Sequence, residues 1–326
     1  MTTTPHRRAL PVVIAVITVQ LIVFIVVWRD ARDAQIRYAP VGVAAPAIVA
    51  DSLARESDSL PGHPFDSRVL TTSAEARSEV RDGSLVAALV VDLSSTSDTL
   101  YVGGANGSTL VKAVTDRVRA VEESHGRAAT VTDLVPARSH DKDQYFVRLL
   151  VLIWTVIGFA VAAGIAVAKG AQAPTRATSV VRLAGLGGVA VVAGLIGAIV
   201  AASSYDGHLL PVWLLGTLSV FAAGATTMAC QSLFGLAGIG IATVVFLMLA
   251  VPDYIATHTL LLPQPWPTVD PWVPHSAATS ALVSIVYFGG SAALRPLLVL
   301  VAWSVLSIGV MALSRHERAL ATVGVA

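Results

Sequence analysis

Few residues of this chain have types and spacing suited to catalysis or to metal binding. His258, His275, Asp253 and Asp270 fall within one short stretch and could supply metal ligands, although solvated loop side chains are the commoner explanation of such a set. The Ser-His-Asp tripeptide at 139–141 is contiguous, which is not how a catalytic triad is assembled in space. The sequence contains no His-Glu-x-x-His pair and no Gly-x-Ser-x-Gly elbow. We therefore expect no enzyme, with no catalytic residue, no metal ligand and no bound cofactor in this chain.

The composition indicates an integral membrane protein. Of 326 residues, 55% are hydrophobic and 13% are charged, whereas a soluble domain carries roughly 25% charged residues. The mean hydropathy is +0.72 and the formal net charge is +1. These values exclude a disordered chain, most soluble enzymes and a nucleic-acid-binding module. The single cysteine, Cys230, excludes an internal disulfide framework.

Six apolar segments are long enough to be membrane spans, which need about 20 residues each. Arg148, Arg182 and Arg295 lie near the ends of three of them, where an arginine can extend to the membrane surface. A cleaved signal peptide is the alternative for the first segment, but its length and the lack of a small-residue cleavage site favour retention. The six predicted spans are 10–28, 146–168, 180–202, 209–230, 233–251 and 292–313.

The Lys and Arg residues in short segments predict the orientation, because such segments resist translocation. With six spans, basic residues of the tails 1–9 and 314–326 fall on the same side as the link after the second span. The opposite link, 203–208, contains no Lys or Arg. We expect a multi-pass protein of the plasma or inner membrane with both termini cytoplasmic.

The charged region 29–145 is predicted to be an extracytoplasmic α/β domain inserted between the first two spans. Its expected strands and helices alternate as βαβαββαβ, which is typical of a small α/β sandwich. Ser73 is the expected N-cap of the second helix, and Asn106-Gly107-Ser108 is expected to form a turn and helix start rather than a glycosylation site. The predicted strands are 38–45, 68–72, 84–93, 98–102 and 130–135, and the predicted helices are 46–57, 73–82 and 108–124.

The segment 252–291 before the last span is rich in proline at its start and cannot be one continuous helix. Its apolar stretch 277–290 is too short to cross a membrane. This stretch either lines a cavity or packs at the outer mouth of the bundle, or it is an interfacial helix that only anchors the link. The candidate outer-mouth residues are Trp266, Trp272, Pro274, Tyr287 and Phe288.

Small residues recur at four-residue spacing in the third predicted span and let helices approach closely. Packing within one bundle is the preferred interpretation, with dimerisation as the alternative. Acidic residues and lysines are absent from the middle of the spans, which disfavours a proton relay. The candidate packing residues are Ala190, Gly194, Gly197, Ala198 and Ala201.

This plan of one span, an external α/β insert and five further spans resembles the type-2 permease subunits of ABC (ATP-binding cassette) exporters, particularly the phage-infection-protein branch. Residues 79–91 resemble the family's external helix, glycine and small-apolar strand element. Residues 272–275 and 287–290 resemble its stretch before the last span. The resemblance implies a dimeric permease, as a homodimer or with a related permease, that exports a substrate with energy from a separate ATPase.

Local features agree with such a division of labour. The chain has no Gly-x-x-x-x-Gly-Lys-Ser/Thr phosphate loop, so any ATP-driven role needs a partner. The link containing Lys169, Gln172, Pro174 and Arg176 is a candidate docking site for that ATPase, or else an ordinary positive-inside loop.

Two functional hypotheses follow. The first is a permease subunit that moves an apolar or amphipathic substrate such as a lipid. The alternative is a membrane-anchored binding or envelope-assembly protein that transports nothing. A membrane-embedded enzyme is a distant third.

Overall fold

The computed structural model describes residues 5–32, 35–173, 175–205, 207–248, 254 and 258–323. Its elements fall into a sheet region and a helical bundle. The sheet region contains β1 (Ala39–Ala44), α2 (Ala47–Ser59), β2 (Phe65–Leu70), α3 (Ser73–Arg81), β3 (Ala87–Val90), β4 (Ser97–Val102), α4 (Ser108–Ser124) and β5 (Ala128–Asp133). The remaining α-helices are α1 (Pro5–Arg32), α5 (Tyr145–Lys169), α6 (Arg176–Ser204), α7 (Leu209–Phe234), α8 (Ala237–Thr243), α9 (Trp266–Val269), α10 (Pro274–Tyr287) and α11 (Leu294–Val323).

The five strands form one mixed sheet in the order β2-β1-β3-β4-β5. β1 runs parallel to β2 and β3, β4 runs antiparallel to β3, and β5 runs parallel to β4. α3 packs on one face through Ala76 and Val80, and α4 packs on the other through Leu110 and Val114. The elements follow the predicted order along the chain, although β2 begins at Phe65 and β3 spans only Ala87–Val90.

The prediction that Ser73 caps α3 is wrong, because Thr72 is the N-cap. The Thr72 hydroxyl accepts a hydrogen bond from the Glu75 backbone N–H at 3.1 Å. The Glu75 carboxylate accepts in turn from the Thr71 N–H at 2.7 Å. The cap therefore lies one residue earlier, where the backbone is still extended and a hydroxyl can reach back to the first turn.

Among the described residues, four helices are long and apolar enough to cross a membrane: α5, α6, α7 and the Leu294–Ser314 portion of α11. This agrees with a helical membrane protein. In α1 the apolar stretch among the described residues is the shorter Ile17–Arg29. Most of its described apolar side chains are exposed, whereas Val27 is buried beside Leu262.

The predicted span 233–251 does not begin where expected. Leu233 belongs to α7, and Gly235 ends that helix with a φ of +60°. α8 then packs back so closely that a Cβ on Gly238 would lie 2.3 Å from the Cys230 carbonyl carbon. Residues 244–248 form a π-helical turn, and 249–251 lie outside the described residues. Hydropathy alone cannot locate this break, because it depends on one backbone dihedral angle.

The helix α10 lies inside the bundle. It begins at Pro274, earlier than the predicted apolar stretch 277–290, and most of its residues are buried against α5, α7 and α11. A helix that only anchors a link at the membrane surface would expose one apolar face to lipid. The burial therefore favours the interpretation in which this stretch packs at the mouth of the bundle.

Candidate functional site

A cavity of about 280 Å³ lies where the N-terminal ends of α5 and α11 meet α10 and two turns of the sheet region. We call it the outer-mouth cavity. The helices α5, α10 and α11 and the link before α10 contribute its charged and polar lining. This lining sets the cavity apart from the apolar interior of the bundle. This lining includes Gln144, Arg148, His258, Asp270, Thr279 and Arg295.

Arg148 is turned into the protein rather than towards the membrane surface. Only 2% of the residue is exposed, so the expectation that it extends to the surface is wrong. It lies in the first turn of α5, beneath the segment that precedes α10, and its backbone carbonyl accepts a hydrogen bond from the Tyr254 hydroxyl at 2.8 Å. The guanidinium therefore lines the cavity as a buried positive charge.

Arg295 brings a second guanidinium to the cavity from the first turn of α11. It is an exposed residue, and its guanidinium carbon lies 5.7 Å from the centre of the Trp272 ring. The Trp272 carbonyl accepts a hydrogen bond from the Trp303 indole at 3.0 Å, which ties the backbone of Trp272 to α11. Stacking on an aromatic face orients a guanidinium without neutralising its charge.

Asp270 is the one carboxylate among the described residues that line the cavity. It accepts a hydrogen bond from the Thr259 hydroxyl at 3.1 Å. Burial raises the pKa of Asp270, while bonds from the Ser276 and Thr259 hydroxyls and the charge of Arg148 oppose that rise. The described lining thus contains two guanidinium groups and one carboxyl group.

The two histidines of this segment are neutral at physiological pH. Burial, followed by the charge of Arg148, lowers the pKa of His258 to about 3 and that of His275 to about 4. The Nδ1 atom of His258 accepts from the Leu260 N–H at 3.2 Å, so its neutral ring carries the proton on Nε2. His275 is 1% exposed and its ring lies 5.7 Å from that of Tyr254.

The interpretation of these side chains as solvated loop residues is therefore wrong for His275. Asp253 lies outside the described residues. Within the part of the chain that the structure describes, no three His, Cys, Asp or Glu side chains come together in a way that could hold a metal ion.

The sheet region covers the cavity through the turn after α3. A Cβ on Gly83, which has a φ of +78°, would lie 2.9 Å from the Phe288 ring. The Ser291 hydroxyl donates to the Asp82 carbonyl at 2.5 Å. Substitution of Gly83 would strain both its backbone and this contact. These two contacts join the sheet region to the segment that leads into α11.

The predicted outer-mouth residues do not all meet at one place. Phe288 is buried against the sheet region, and Pro274 is buried in the first turn of α10. The Tyr287 ring lies 5.4 Å from that of Tyr205, and Trp272 stacks with Arg295. Trp266 lies apart from them, beside Leu262 and Val27 of α1.

The predicted docking link lies at the opposite end of the bundle. Lys169 ends α5, Arg176 begins α6, and both are exposed, as is Gln172, while Pro174 lies outside the described residues. Arg182 donates to the carbonyls of Lys169 and Gly170, each at 2.9 Å. These bonds tie the end of α5 to α6 and present the link on the surface.

The small residues of α6 pack against other helices of this chain. A Cβ on Gly194 would lie 2.6 Å from the Thr217 backbone nitrogen, and a Cβ on Gly197 would lie 2.4 Å from the Trp154 indole nitrogen. Ala190, Ala198 and Ala201 are buried on the same helix. This part of α6 therefore packs tightly on α5 and α7.

Polar side chains within the bundle bond neighbouring helices. The hydroxyls of Thr226 and Ser307 lie 2.9 Å apart, and the Gln231 amide donates to the Ala162 carbonyl at 3.2 Å. Such bonds stabilise helix contacts in an apolar setting. The charged groups gather instead at the outer-mouth cavity, which sequence reasoning missed. The available signal was weak, because three predicted spans have an arginine in their first turn and only two of these arginines line the cavity.

No family model, curated protein or solved structure matches this chain.

Proposed function

We propose that the chain is the permease subunit of an ABC-type exporter, which moves an apolar or amphipathic substrate outward while a separate subunit hydrolyses ATP. In this proposal α1 is a span as well, and the region that begins with α8 forms another, making six. The sheet region lies outside the cell, both termini are cytoplasmic, and the permease acts as a homodimer or with a related permease in the bacterial plasma membrane.

The observation that carries this proposal is the difference between the two ends of the bundle. One end has a charged cavity covered by the sheet region, and the other has a link in which Lys169, Gln172 and Arg176 are exposed and whose start is held by Arg182. A permease driven by a separate ATPase requires a substrate-facing end and an ATPase-facing end. The absence of a phosphate loop from the sequence agrees with an external source of energy.

Co-purification tests the proposal directly. The tagged full-length chain is extracted from its native host in a gentle detergent, and associated proteins are identified by mass spectrometry. We expect a cassette ATPase to be recovered, and its ATP turnover to rise when both proteins are reconstituted in liposomes.

A matched pair of variants locates the contact. Arg176→Glu should reduce ATPase recovery at least fivefold, because it reverses a charge on the exposed link. Arg55→Glu makes the same change on the exposed face of α2 and should leave recovery unchanged. Equal loss in both variants would contradict docking at the link, and failure to recover any ATPase with the unmodified chain would contradict the permease proposal.

The second candidate is a non-transporting binding or envelope-assembly protein. It is favoured by an apolar groove of about 60 Å³ between α2 and α4, lined by Leu53, Leu60 and Val118 among others. A groove of this kind can hold an apolar side chain of a partner. This candidate takes precedence if no ATPase associates with the chain.

A further inference from the structure

The helices α2 and α4 cover the same face of the sheet but stand apart above its centre. α2 packs on β1 and β2 at one side of the sheet, and α4 packs on β5 at the other side. The apolar groove of about 60 Å³ lies in the gap between them, above the central strands. Its floor is formed by side chains of β1, β3 and β4, namely Val41, Val43, Ala87, Leu89 and Leu100.

The walls of the groove are apolar as well. Leu53 and Leu60 line it from α2, and Val118 and Val121 line it from α4. An apolar cavity offers water no hydrogen bonds, so an apolar group gains free energy by entering it. The groove has less than half of the roughly 150 Å³ that accommodates a benzene ring. Its size therefore favours a narrow alkyl chain over an aromatic ring.

The polar residues of the groove gather where it opens to solvent. Glu56 and Ser57 are neighbours on α2, and Glu122 and His125 are one turn apart on α4. The His125 Nε2 atom lies 3.2 Å from the Glu56 Oε1 atom, so this pair spans the groove from one helix to the other. Both side chains are about half exposed, which places the contact at the surface. The groove is thus polar at its mouth and apolar beneath.

The charges at this mouth favour a cation. Among the described residues that line the groove, two are glutamates and none is a lysine or an arginine. Arg127 lies 3.7 Å from Glu122, but its guanidinium is bonded to both carboxylate oxygens of Asp98. The ion-pair partner of Glu56 among the described residues is the imidazole of His125. An anionic group would be repelled here, whereas an ammonium group can donate to carboxylate oxygens.

We propose that the groove between α2 and α4 binds a short alkyl chain that ends in an ammonium group. The chain occupies the apolar space between Leu53 and Val118, and the ammonium group donates to the Glu56 carboxylate in place of His125. The ligand class is that of aliphatic amines and cationic amphiphiles. This inference goes beyond both candidate functions, because it needs neither transport nor a protein partner.

The test uses the purified full-length chain in lipid nanodiscs, without ATPase or nucleotide. The probes are butylamine, butanol and butyrate, which have similar short chains and differ in the charge of the polar end. Binding is titrated as the slowing of hydrogen exchange in α2 and α4 peptides, with α3 peptides from the opposite face of the sheet as the internal control. We expect butylamine to bind at least tenfold more tightly than butyrate, with butanol between them.

A matched pair of variants tests the role of the carboxylate. Glu56→Gln should weaken butylamine binding at least fivefold and change butanol binding less than twofold, because only the charge at the mouth is lost. Glu123→Gln makes the same change at an exposed position of α4 outside the groove and should change the binding of either probe less than twofold. Ser57→Leu places an apolar side chain in the groove and should weaken all three probes at least fivefold.

Equal affinity for butylamine and butyrate, or an unchanged preference for butylamine in Glu56→Gln, would overturn the inference. Slowed exchange that is equal in α3 peptides would do the same, because it would show that the probes act outside the groove. If Ser57→Leu melts at a lower temperature without ligand, the Glu56→Gln result decides, since that variant keeps the apolar walls. Because the assay contains no ATPase, a negative result would leave the permease proposal standing, and a failure to recover ATPase would leave amine binding standing.

Discussion

The two ends of the helical bundle use arginine in opposite ways. At the link end, Arg182 bonds two carbonyls at the C-terminus of α5, where the helix carries partial negative charge. At the cavity end, Arg148 and Arg295 lie in helix N-terminal turns, where a cation is disfavoured. The first arrangement stabilises the fold through two charge-assisted hydrogen bonds, whereas the second places both guanidinium groups in the lining of a cavity. Similar hydropathy profiles thus conceal arginines in two different settings.

The two ends are proposed to face opposite sides of a membrane, and cysteine labelling gives an all-or-none test of that orientation. In a Cys230→Ala background, Thr96→Cys places a thiol on the exposed turn before β4, and Gln172→Cys places one on the link. We expect a membrane-impermeant maleimide to label residue 96 in intact cells and residue 172 only after permeabilisation. Labelling of both positions, or the reverse pattern, would contradict the proposed orientation.

The structural role assigned to Arg182 predicts the largest loss of stability. Arg182→Ala removes two charge-assisted bonds and leaves two carbonyls without these donors, so we expect a loss of about 3 kcal/mol in the free energy of unfolding. Arg295→Ala, at the other end, should cost less than about 1 kcal/mol because the side chain is exposed. Equilibrium unfolding in mixed micelles measures both. Equal losses would remove the distinction between the two ends.

The close contact between α5 and α6 predicts an intermediate loss of stability on substitution. Gly197→Ala would place a methyl group 2.4 Å from the Trp154 indole nitrogen, and overpacking of this kind costs about 1–3 kcal/mol. Gly188→Ala is the matched control on the same helix, because a Cβ there meets nothing within 4 Å. The melting temperature should fall for the first variant only. An unchanged Gly197→Ala melting temperature would show that α5 and α6 can separate without cost.

Sequence reasoning located the elements better than the site. Apolar runs together with cap and turn residues predicted the order of strands and helices in the sheet region, because local propensity and burial act together there. The turn at Gly235 between α7 and α8 could not be predicted from hydropathy, because it depends on one positive φ angle. The burial of Arg148 could not be predicted, because residues more than a hundred positions later in the chain, including Tyr254, pack against it. A cavity built from α5, α10, α11, the link before α10 and two turns of the sheet region has no local signature.

The sheet region shows a third use of arginine, in which carboxylates supply the compensation. Arg127 bonds both oxygens of buried Asp98 at 2.6 Å, and its Nε atom lies 3.7 Å from Glu122. Burial, followed by the neighbouring Asp98, raises the pKa of Glu122 to about 7. One carboxylate therefore satisfies the guanidinium while the second is held close to its neutral form.

This cluster predicts a small pH dependence in the sheet region, opposite in sign to that expected from the two buried histidines at the cavity end. Because the pKa of Glu122 is raised on folding, the folded state binds the extra proton between about pH 4.5 and 7, and stability falls as pH rises through that window. Glu122→Gln cannot ionise, so its stability relative to the unmodified chain should improve from pH 5 to 7, by less than about 1 kcal/mol given solvent screening. Hydrogen exchange of α4 peptides at both pH values measures the change locally, with α11 peptides as the control. A protection difference that stays constant across this range would show that Glu122 ionises at its ordinary pKa, and that Arg127 rather than burial governs its charge.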